Sequence, residues 1–511
     1  MIFFLCPLVL ICCIFLRLIP RIIWKDFNGT DIYFHLYYID LLKKNNNRLP
    51  KHEKRVYGSN ECTYPFFYHW LLSFFPNSFI SFWDRFSGFV FDLLNGLLVV
   101  TVLYHMHLIS FNDALLVLSA YILAPGLTFS FIGPRPFSLT PRNFSQFVFL
   151  LSCFFLIISL SNSLEISDFN YVAFSVASIL FSILLLSSKF GTQVLVSLLL
   201  AGIFDFKIAL CIVLSAFFAL FFHRSFFIHQ IKAHVLHLDW YLKYNYPFVS
   251  HRSNFSILIN FIKSRNLRGV FYEVVFFNQL FTSILRHPTY FLALVLGIAG
   301  YMHETLEGYQ YYLLIILTVL FVPFIVTNFG KARVLGEAER YIEFAYPLQI
   351  ILFFSVIPQA YTSTLISFIL IYNVIWFLYN LYQLKHQYAA RYSFSNLFSH
   401  LDRKDINLFC LNNNESWIFL KNTKANIIGF LVNVSMQGQY RIFFEKLFDK
   451  YPMVNPKYLP ELCLQYNVTH ILQNKQSKSG DVYEGAISAL GKYVKIFEDT
   501  QYILYAHKPE L

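Results

Sequence analysis

The chain has 511 residues, of which 57% are hydrophobic, 20% aromatic and only 14% charged. Soluble globular proteins carry about 25% charged residues, so this composition excludes an ordinary soluble protein and indicates one that is solvated mostly by lipid. The net charge of +11 points to anionic partners, which for a membrane protein are lipid headgroups and phosphate-bearing substrates. Nucleic acid is not an expected partner, because the sequence has no dense Lys/Arg run and no RNA-binding signature.

Apolar runs of about 20 residues mark the predicted membrane spans. The first run, Met1–Pro20, lacks a basic start and a small-residue cleavage site, so it is predicted to be a retained span rather than a signal peptide. All runs together predict about ten to twelve crossings. The mixed aromatic and basic stretch 223–268 is predicted to lie at the membrane surface. The runs lie near residues 2–20, 87–108, 112–132, 144–162, 169–188, 191–222, 269–285, 288–303, 309–328, 344–358 and 361–383.

The loop after the first span, residues 21–86, holds a carboxylate and an imidazole next to lipid. Thr30 suits a helix N-cap, and helical spacing then brings Asp31, His35 and Tyr38 onto one face. An acid, an imidazole and a phenol on one face are equipped for proton transfer or metal binding. The alternative is a helix N-terminus that prefers Asp for its dipole alone.

A second short helix is predicted in the same loop, between Tyr64 and Pro76. It is apolar and aromatic, with His69 embedded in it. The simpler interpretation is an interfacial helix that anchors the loop. In the other interpretation, Tyr64 and His69 contact the substrate.

Three basic residues lie in loops that adjoin predicted spans. Arg135 and Arg142 occur in Gly133–Asn143, where prolines stiffen the backbone. Arginines at a membrane face suit phosphate oxygens through bidentate hydrogen bonds, or they are ordinary interfacial residues. Lys189 lies between two spans and is either a further phosphate contact or a lysine that extends to the interface.

A denser charged cluster occupies Asn328–Tyr346, between two predicted spans. On a helix, Glu339 and Glu343 share one face, and Glu337 and Arg340 share another. An ordinary solvated loop would explain charges, but not charges that run directly into a span. The charged residues are Lys331, Arg333, Glu337, Glu339, Arg340 and Glu343.

The C-terminal part, 386–511, differs in composition from the membrane part, 1–385. From residue 395 on it is polar, and short apolar runs alternate with helical patterns, which predicts a small α/β domain of about 115 residues. The chain shows no glycine-rich phosphate loop, no HExxH and no nucleophile elbow. Their absence argues against an ATP-driven pump, a zinc protease and a serine hydrolase.

The order of these features resembles the GT-C superfamily, polytopic glycosyltransferases that use polyprenyl-phosphate-linked sugars. The resemblance rests on GTDIYFHLYYID (Gly29–Asp40), TYPFFYHWLL (Thr63–Leu72), GEAERYIEFA (Gly336–Ala345) and the C-terminal YVKIFEDTQYILYAHK (Tyr493–Lys508). It implies a mainly α transmembrane bundle with a small soluble α/β domain. It also implies that both the active site and that domain lie on the outer face of the plasma membrane.

The resemblance also assigns roles. Asp31 would be the catalytic carboxylate, with His35 beside it, in an inverting sugar transfer to a hydroxyl of a lipid, glycan or protein acceptor. Arg340 would bind the lipid (pyro)phosphate, supported by Lys331 and Arg333, with Tyr341 and Glu343 in the same substrate-binding segment. Gly133–Asn143 contains no carboxylate, whereas metal-dependent relatives carry an acidic pair there, so no metal or other cofactor is favoured.

Two alternatives remain open from the sequence. A transporter or flippase of lipid-linked sugars would share the charged loops, but such proteins usually show internal repeats, and none is clear here. A polysaccharide polymerase or ligase would use the same donor and differ mainly in its acceptor.

Overall fold

The structure is a computed structural model. It consists mainly of helices, and most of its strands lie near the C-terminus. This arrangement confirms the predicted architecture of a membrane bundle followed by a small α/β domain. The structure describes residues 2–23, 30–59, 61–128, 139–161, 169–245, 255–389, 394–431, 440–475 and 480–508.

The membrane part contains seventeen helices among the described residues. The first ten are α1 (Ile2–Ile23), α2 (Thr30–Lys44), α3 (Phe67–Ser73), α4 (Asn77–His105), α5 (Phe111–Ile122), α6 (Pro125–Thr128), α7 (Pro141–Ser161), α8 (Tyr171–Ser187), α9 (Lys189–Leu198) and α10 (Phe206–Trp240). The next seven are α11 (Phe255–Lys263), α12 (Leu267–Tyr272), α13 (Gln279–Arg286), α14 (Pro288–Met302), α15 (Gly308–Thr327), α16 (Ala338–Val356) and α17 (Gln359–Ala389). Short 3₁₀ or π turns at Leu199–Ile203, Tyr241–Asn245, Glu273–Phe277 and Gly330–Leu335 connect some of them.

Seven helices in the described part of the chain are long and apolar enough to cross a membrane, or eight if the bent pair α13–α14 counts as one span. The sequence predicted about ten to twelve crossings because it also counted shorter or more charged apolar segments. Among these are α8 and α9, which are apolar but short, and α16, which begins with charged residues. The stretch predicted to lie at the membrane surface begins at a kink, because His223 has a non-helical backbone conformation and divides α10 into two helical parts.

The C-terminal domain is built on one six-stranded sheet. Its strands are β1 (Val56–Ser59), β2 (Asn407–Cys410), β3 (Asn426–Phe430), β4 (His470–Asn474), β5 (Tyr493–Glu498) and β6 (Tyr502–His507). The order across the sheet is β1-β3-β2-β4-β6-β5, with the first four strands parallel and the last two added antiparallel. The helices of this domain are α18 (Ser395–Leu401), α19 (Ser416–Asn422), α20 (Tyr440–Phe448), α21 (Leu459–Gln465) and α22 (Gly480–Ala489).

The first loop is fastened to this domain. Strand β1 comes from the first loop and pairs with β3, so the sheet combines residues from both sides of the predicted boundary at 385/386. Arg55 donates hydrogen bonds of 2.7 Å to the carbonyls of Thr423 and Ala425, and Lys421 forms an ion pair with Asp40 on α2. Helix α19 also packs against α2. The domain therefore lies directly beside the helix that carries Asp31.

Candidate active site

A cavity of about 340 Å³ lies between the loops of the membrane bundle and the C-terminal domain. It brings together side chains that are far apart in the sequence and that come from α2, the start of α7, the start of α9 and the turn before α16. Six of the residues predicted for the site line it, namely Asp31, His35, Tyr64, Arg142, Lys189 and Arg333.

Asp31 lies in the first turn of α2 and is exposed to the cavity. The surrounding protein still removes most water from its carboxyl group. This desolvation raises the pKa of Asp31, the positive charge of Arg142 lowers it, Glu337 raises it and Arg340 lowers it. The described residues offer this carboxylate no ion pair within 4 Å, so it faces the cavity as a weak acid with a raised pKa, a state suited to accepting a proton.

His35 lies one turn after Asp31 on α2, and it is buried apart from its contact with the cavity. Its Nδ1 is 2.9 Å from Nε2 of His69 on α3. His69 is fully buried behind His35 and is not part of the cavity lining. The two helices of the first loop therefore meet through these imidazoles, and Tyr38 adds a hydrogen bond from its hydroxyl to the carbonyl of Tyr64.

Three basic side chains from outside the first loop line the cavity, and the amine of Lys189 lies 5.7 Å from the ring centre of Tyr64 in the first loop. Arg142 lies in the first turn of α7, with its guanidinium 5.0 Å from the ring centre of Phe190. Lys189 begins α9 because Ser188 caps that helix by accepting a hydrogen bond from the Gly191 N–H. The third cation, Arg333, lies on the 3₁₀ turn before α16 and is buried.

Arg340 lies next to the cavity but not in its lining. Its guanidinium contacts Glu337 at 2.6 Å and Glu343 at 3.2 Å, and it stacks over Phe190 at 5.2 Å. Arg340 and Glu343 are both buried, so the first turns of α16 neutralise most of their own charge. Tyr341 is also buried and donates a 2.6 Å hydrogen bond to the carbonyl of Leu335.

Lys331 is exposed and does not line the cavity, and Arg135 lies outside the described residues. No three His, Cys, Asp or Glu side chains in the described ranges lie close enough together to hold a metal ion. Asp31 and Glu337 are the carboxylates that line the cavity.

An aromatic wall that the sequence analysis did not identify closes the cavity on the side of the C-terminal domain. Trp240 is in contact with Phe430 and Tyr451, with ring centres 6.2 and 5.3 Å apart. The sequence could have indicated Trp240 as a site residue, because it lies in a stretch rich in His, Trp and Tyr. The sequence could not have indicated the wall residues of the C-terminal domain, since they look like ordinary core residues. The wall consists of His237, Trp240, Tyr241, Trp417, Phe430 and Tyr451.

Comparison with known proteins identifies the fold. No protein-family model matches the sequence, and no curated protein matches it either. Among solved structures, the chain is similar to the oligosaccharyltransferase of Archaeoglobus fulgidus in its apo form, with a TM-score of 0.58 and 11% identity over 98% of this chain and 74% of that one. The same archaeal protein with an inhibitory peptide and a dolichol-phosphate gives a TM-score of 0.52 at 10% identity, covering 98% and 74%.

A second group of structures covers both chains almost completely. ArnT from Cupriavidus metallidurans bound to undecaprenyl phosphate gives a TM-score of 0.50 and 10% identity over 98% of this chain and 99% of that one. The chain shares its fold with this oligosaccharyltransferase and with ArnT. At these identities the likeness establishes the fold, and the chain is a multi-pass membrane protein by its apolar helices.

Proposed function

We propose that this protein is a membrane glycosyltransferase that moves a sugar from a polyprenyl-(pyro)phosphate carrier to a hydroxyl group, with inversion at the anomeric carbon. The observation that carries the proposal is that Asp31, Arg142, Lys189 and Arg333 line one cavity. A carboxylate and several basic side chains in one cavity match a reaction in which a hydroxyl loses a proton while a phosphate leaves. The GT-C fold supports this reaction class.

The cations provide a site for the phosphate of the donor. Arg142, Lys189 and Arg333 come from three different elements and converge on one cavity. Guanidinium and ammonium groups in a desolvated site bind phosphate oxygens and stabilise the charge of the leaving group. The two similar structures that contain dolichol-phosphate and undecaprenyl phosphate support a polyprenyl phosphate as the carrier.

Asp31 serves as the general base. It takes the proton of the acceptor hydroxyl as that oxygen bonds to the anomeric carbon, and the bond from this carbon to the phosphate oxygen breaks with its electrons left on the phosphate. Attack from the face opposite the phosphate inverts the configuration. Proximity and charge stabilisation supply most of the rate, because both partners are held in one small cavity.

We further propose that the cavity and the C-terminal domain face the outside of the plasma membrane, where lipid-linked sugars are used for envelope glycans. The acceptor is a lipid, a glycan or a protein with a free hydroxyl. The aromatic wall and the fastened domain enclose the acceptor side of the cavity.

The test uses the full chain in nanodiscs. Purified wild type should bind undecaprenyl phosphate, and membranes that contain it should transfer radiolabelled sugar from polyprenyl-phosphate sugars to an extractable acceptor. Arg142→Ala should weaken undecaprenyl phosphate binding, whereas Arg441→Ala, an exposed arginine of the C-terminal domain, should leave it unchanged. Movement of labelled lipid across the membrane without sugar transfer would instead identify a flippase and overturn the proposal.

A further inference from the structure

The ring of Phe190 contacts two arginines that come from two other helices. Phe190 is the second residue of α9 and lines the cavity. Cζ of Arg142, in the first turn of α7, lies over this ring at 5.0 Å from its centre. Cζ of Arg340, in the first turn of α16, lies over the same ring at 5.2 Å. One aromatic side chain therefore joins the starts of three helices.

The backbone that carries Phe190 is packed tightly against the end of α8. Ser188 caps α9 by accepting a hydrogen bond of 3.4 Å from the Gly191 N–H. A Cβ atom at Gly191 would lie 2.5 Å from Cδ1 of Leu184 and 3.2 Å from its carbonyl oxygen, so only glycine permits this approach of the two helices. Phe190 is therefore attached to a segment whose position is set by the cap and by the contact with α8.

An aromatic ring can hold a guanidinium group without neutralising it. The π-electrons of the ring attract a cation that lies over its face. The N–H groups of a guanidinium point outward in its own plane, so a ring over its face does not take up the donors that bind phosphate oxygens. A carboxylate takes up both charge and donors, as Glu337 and Glu343 do for Arg340. The contact with Phe190 restricts Arg142 without consuming what an anion needs.

We propose that Phe190 is a positioning residue that holds the guanidinium of Arg142 at the cavity for the donor phosphate. This inference rests on the proposed function. The ring also contacts Arg340, which Glu337 and Glu343 hold in place, so Arg142 is aligned against a fixed neighbour. Phe190 takes no part in proton transfer or in bond breaking. It sets where Arg142 meets the phosphate, and thereby how tightly the donor binds and how well the charge of the leaving group is stabilised.

The first test changes the electrons of the ring and leaves its shape nearly unchanged. Phenylalanines with increasing numbers of ring fluorines are introduced at position 190 of the full chain, because fluorine withdraws electron density from the ring face and weakens its attraction for a cation. The dissociation constant of undecaprenyl phosphate in nanodiscs should rise along the series, to about fivefold for the most fluorinated ring. A constant that stays the same along the series would overturn the proposal.

Phe169 provides the matched control for this series. Its ring centre lies 5.3 Å from Nζ of Lys207, so it makes the same kind of contact, but it does not line the cavity. The same fluorinated residues at position 169 should leave undecaprenyl phosphate binding unchanged. An equal loss at both positions would show a general effect of fluorination and would also overturn the proposal.

The second test asks whether Phe190 acts through Arg142. Phe190→Leu keeps an apolar side chain without a ring and should weaken undecaprenyl phosphate binding about fivefold, whereas Phe190→Tyr keeps the ring and should bind like the wild type. In Arg142→Ala, the additional change Phe190→Leu should cause no further loss, since the arginine that it positions is gone. Equal losses with and without Arg142 would show that Phe190 only packs.

The inference and the proposed function fail in different ways. A wild type that does not bind undecaprenyl phosphate contradicts the proposed function. A wild type that binds it and is weakened by Arg142→Ala, but not by the changes at Phe190, contradicts the inference alone. If Phe190→Leu does not fold, the fluorinated series still decides.

Discussion

The first loop and the late loop both contribute charged residues at or beside the cavity, and they use charge in opposite ways. The first loop presents Asp31 to the cavity without an ion-pair partner within 4 Å among the described residues. In the late loop, Arg340 is held between Glu337 and Glu343, and most of its charge is satisfied internally. The first loop therefore leaves a carboxylate available at the cavity, whereas the ion pairs of the late loop hold Arg340 in place beside the cavity.

This difference has a physical basis. A buried ion pair fixes geometry, but its charges are no longer available to a ligand. A carboxylate without a partner in a desolvated site has a raised pKa and keeps its capacity to accept a proton. In the proposed reaction, Asp31 can act as a base because it has no ion-pair partner within 4 Å among the described residues.

The largest expected effect tests the first loop. Asp31→Asn should lower sugar transfer by about 10³-fold, because an amide cannot accept the proton of the acceptor hydroxyl. Thermal stability and undecaprenyl phosphate binding should stay close to those of the wild type. Asp113→Asn, at a carboxylate held by Ser110 and Ser363, serves as the control. Transfer at the wild-type rate in Asp31→Asn would remove this residue from the chemistry.

The next effect tests the late loop. Arg340→Ala removes the arginine that pairs with the buried carboxylate of Glu343, so the free energy of unfolding should fall by about 3–5 kcal/mol. The additional change Glu343→Gln should recover part of the loss. Thermal unfolding in nanodiscs measures both. If Arg340→Ala keeps its stability and loses undecaprenyl phosphate binding, Arg340 is a phosphate ligand, as the sequence suggested, and the contrast between the loops fails.

A smaller effect concerns the pH dependence of sugar transfer. Transfer requires ionised Asp31, so activity should rise with pH through an apparent pKa above the usual range of Asp. Arg142 lowers the pKa of Asp31 and Glu337 raises it. Arg142→Ala should therefore move the acid limb of kcat/KM to higher pH, and Glu337→Gln should move it to lower pH. Shifts of the same sign in both variants would show that the limb belongs to another group.

The smallest effect concerns the attachment of the C-terminal domain. Lys421 and Asp40 form a partly exposed ion pair between that domain and α2, and such pairs contribute less than about 1 kcal/mol. Lys421→Ala should change the unfolding midpoint only slightly and leave the first loop in place, because β1 still pairs with β3. Lys424→Ala removes a more exposed pair within the domain and is the matched control. A large loss of activity in Lys421→Ala alone would show that this pair controls the position of Asp31.

The sequence predicted the parts of the molecule that depend on local composition. Long apolar runs, the polar tail and the helical face of Asp31 and His35 are all visible within a few turns of chain. The pairing of Arg340 could be anticipated from its spacing to Glu337 and Glu343, but its burial could not, because burial depends on the helices packed around it.

Other features had no local signal. Strand β1 is four residues long, and its partner lies some 370 residues further along the chain. The aromatic wall combines the end of α10 with three separate segments of the tail. Such features depend on tertiary contacts between distant segments, which propensity and periodicity do not encode.

The pairing of β1 with β3 has a consequence for biosynthesis. Ribosomes make the Asp31 loop early and Asn426–Phe430 late, so strand β1 of this loop waits for its neighbour while most of the bundle is inserted. A chain that stops before Asn426 would insert its helices and yet leave this strand unpaired. Completion of the cavity is thus coupled to completion of translation, and an unfinished chain has no finished site.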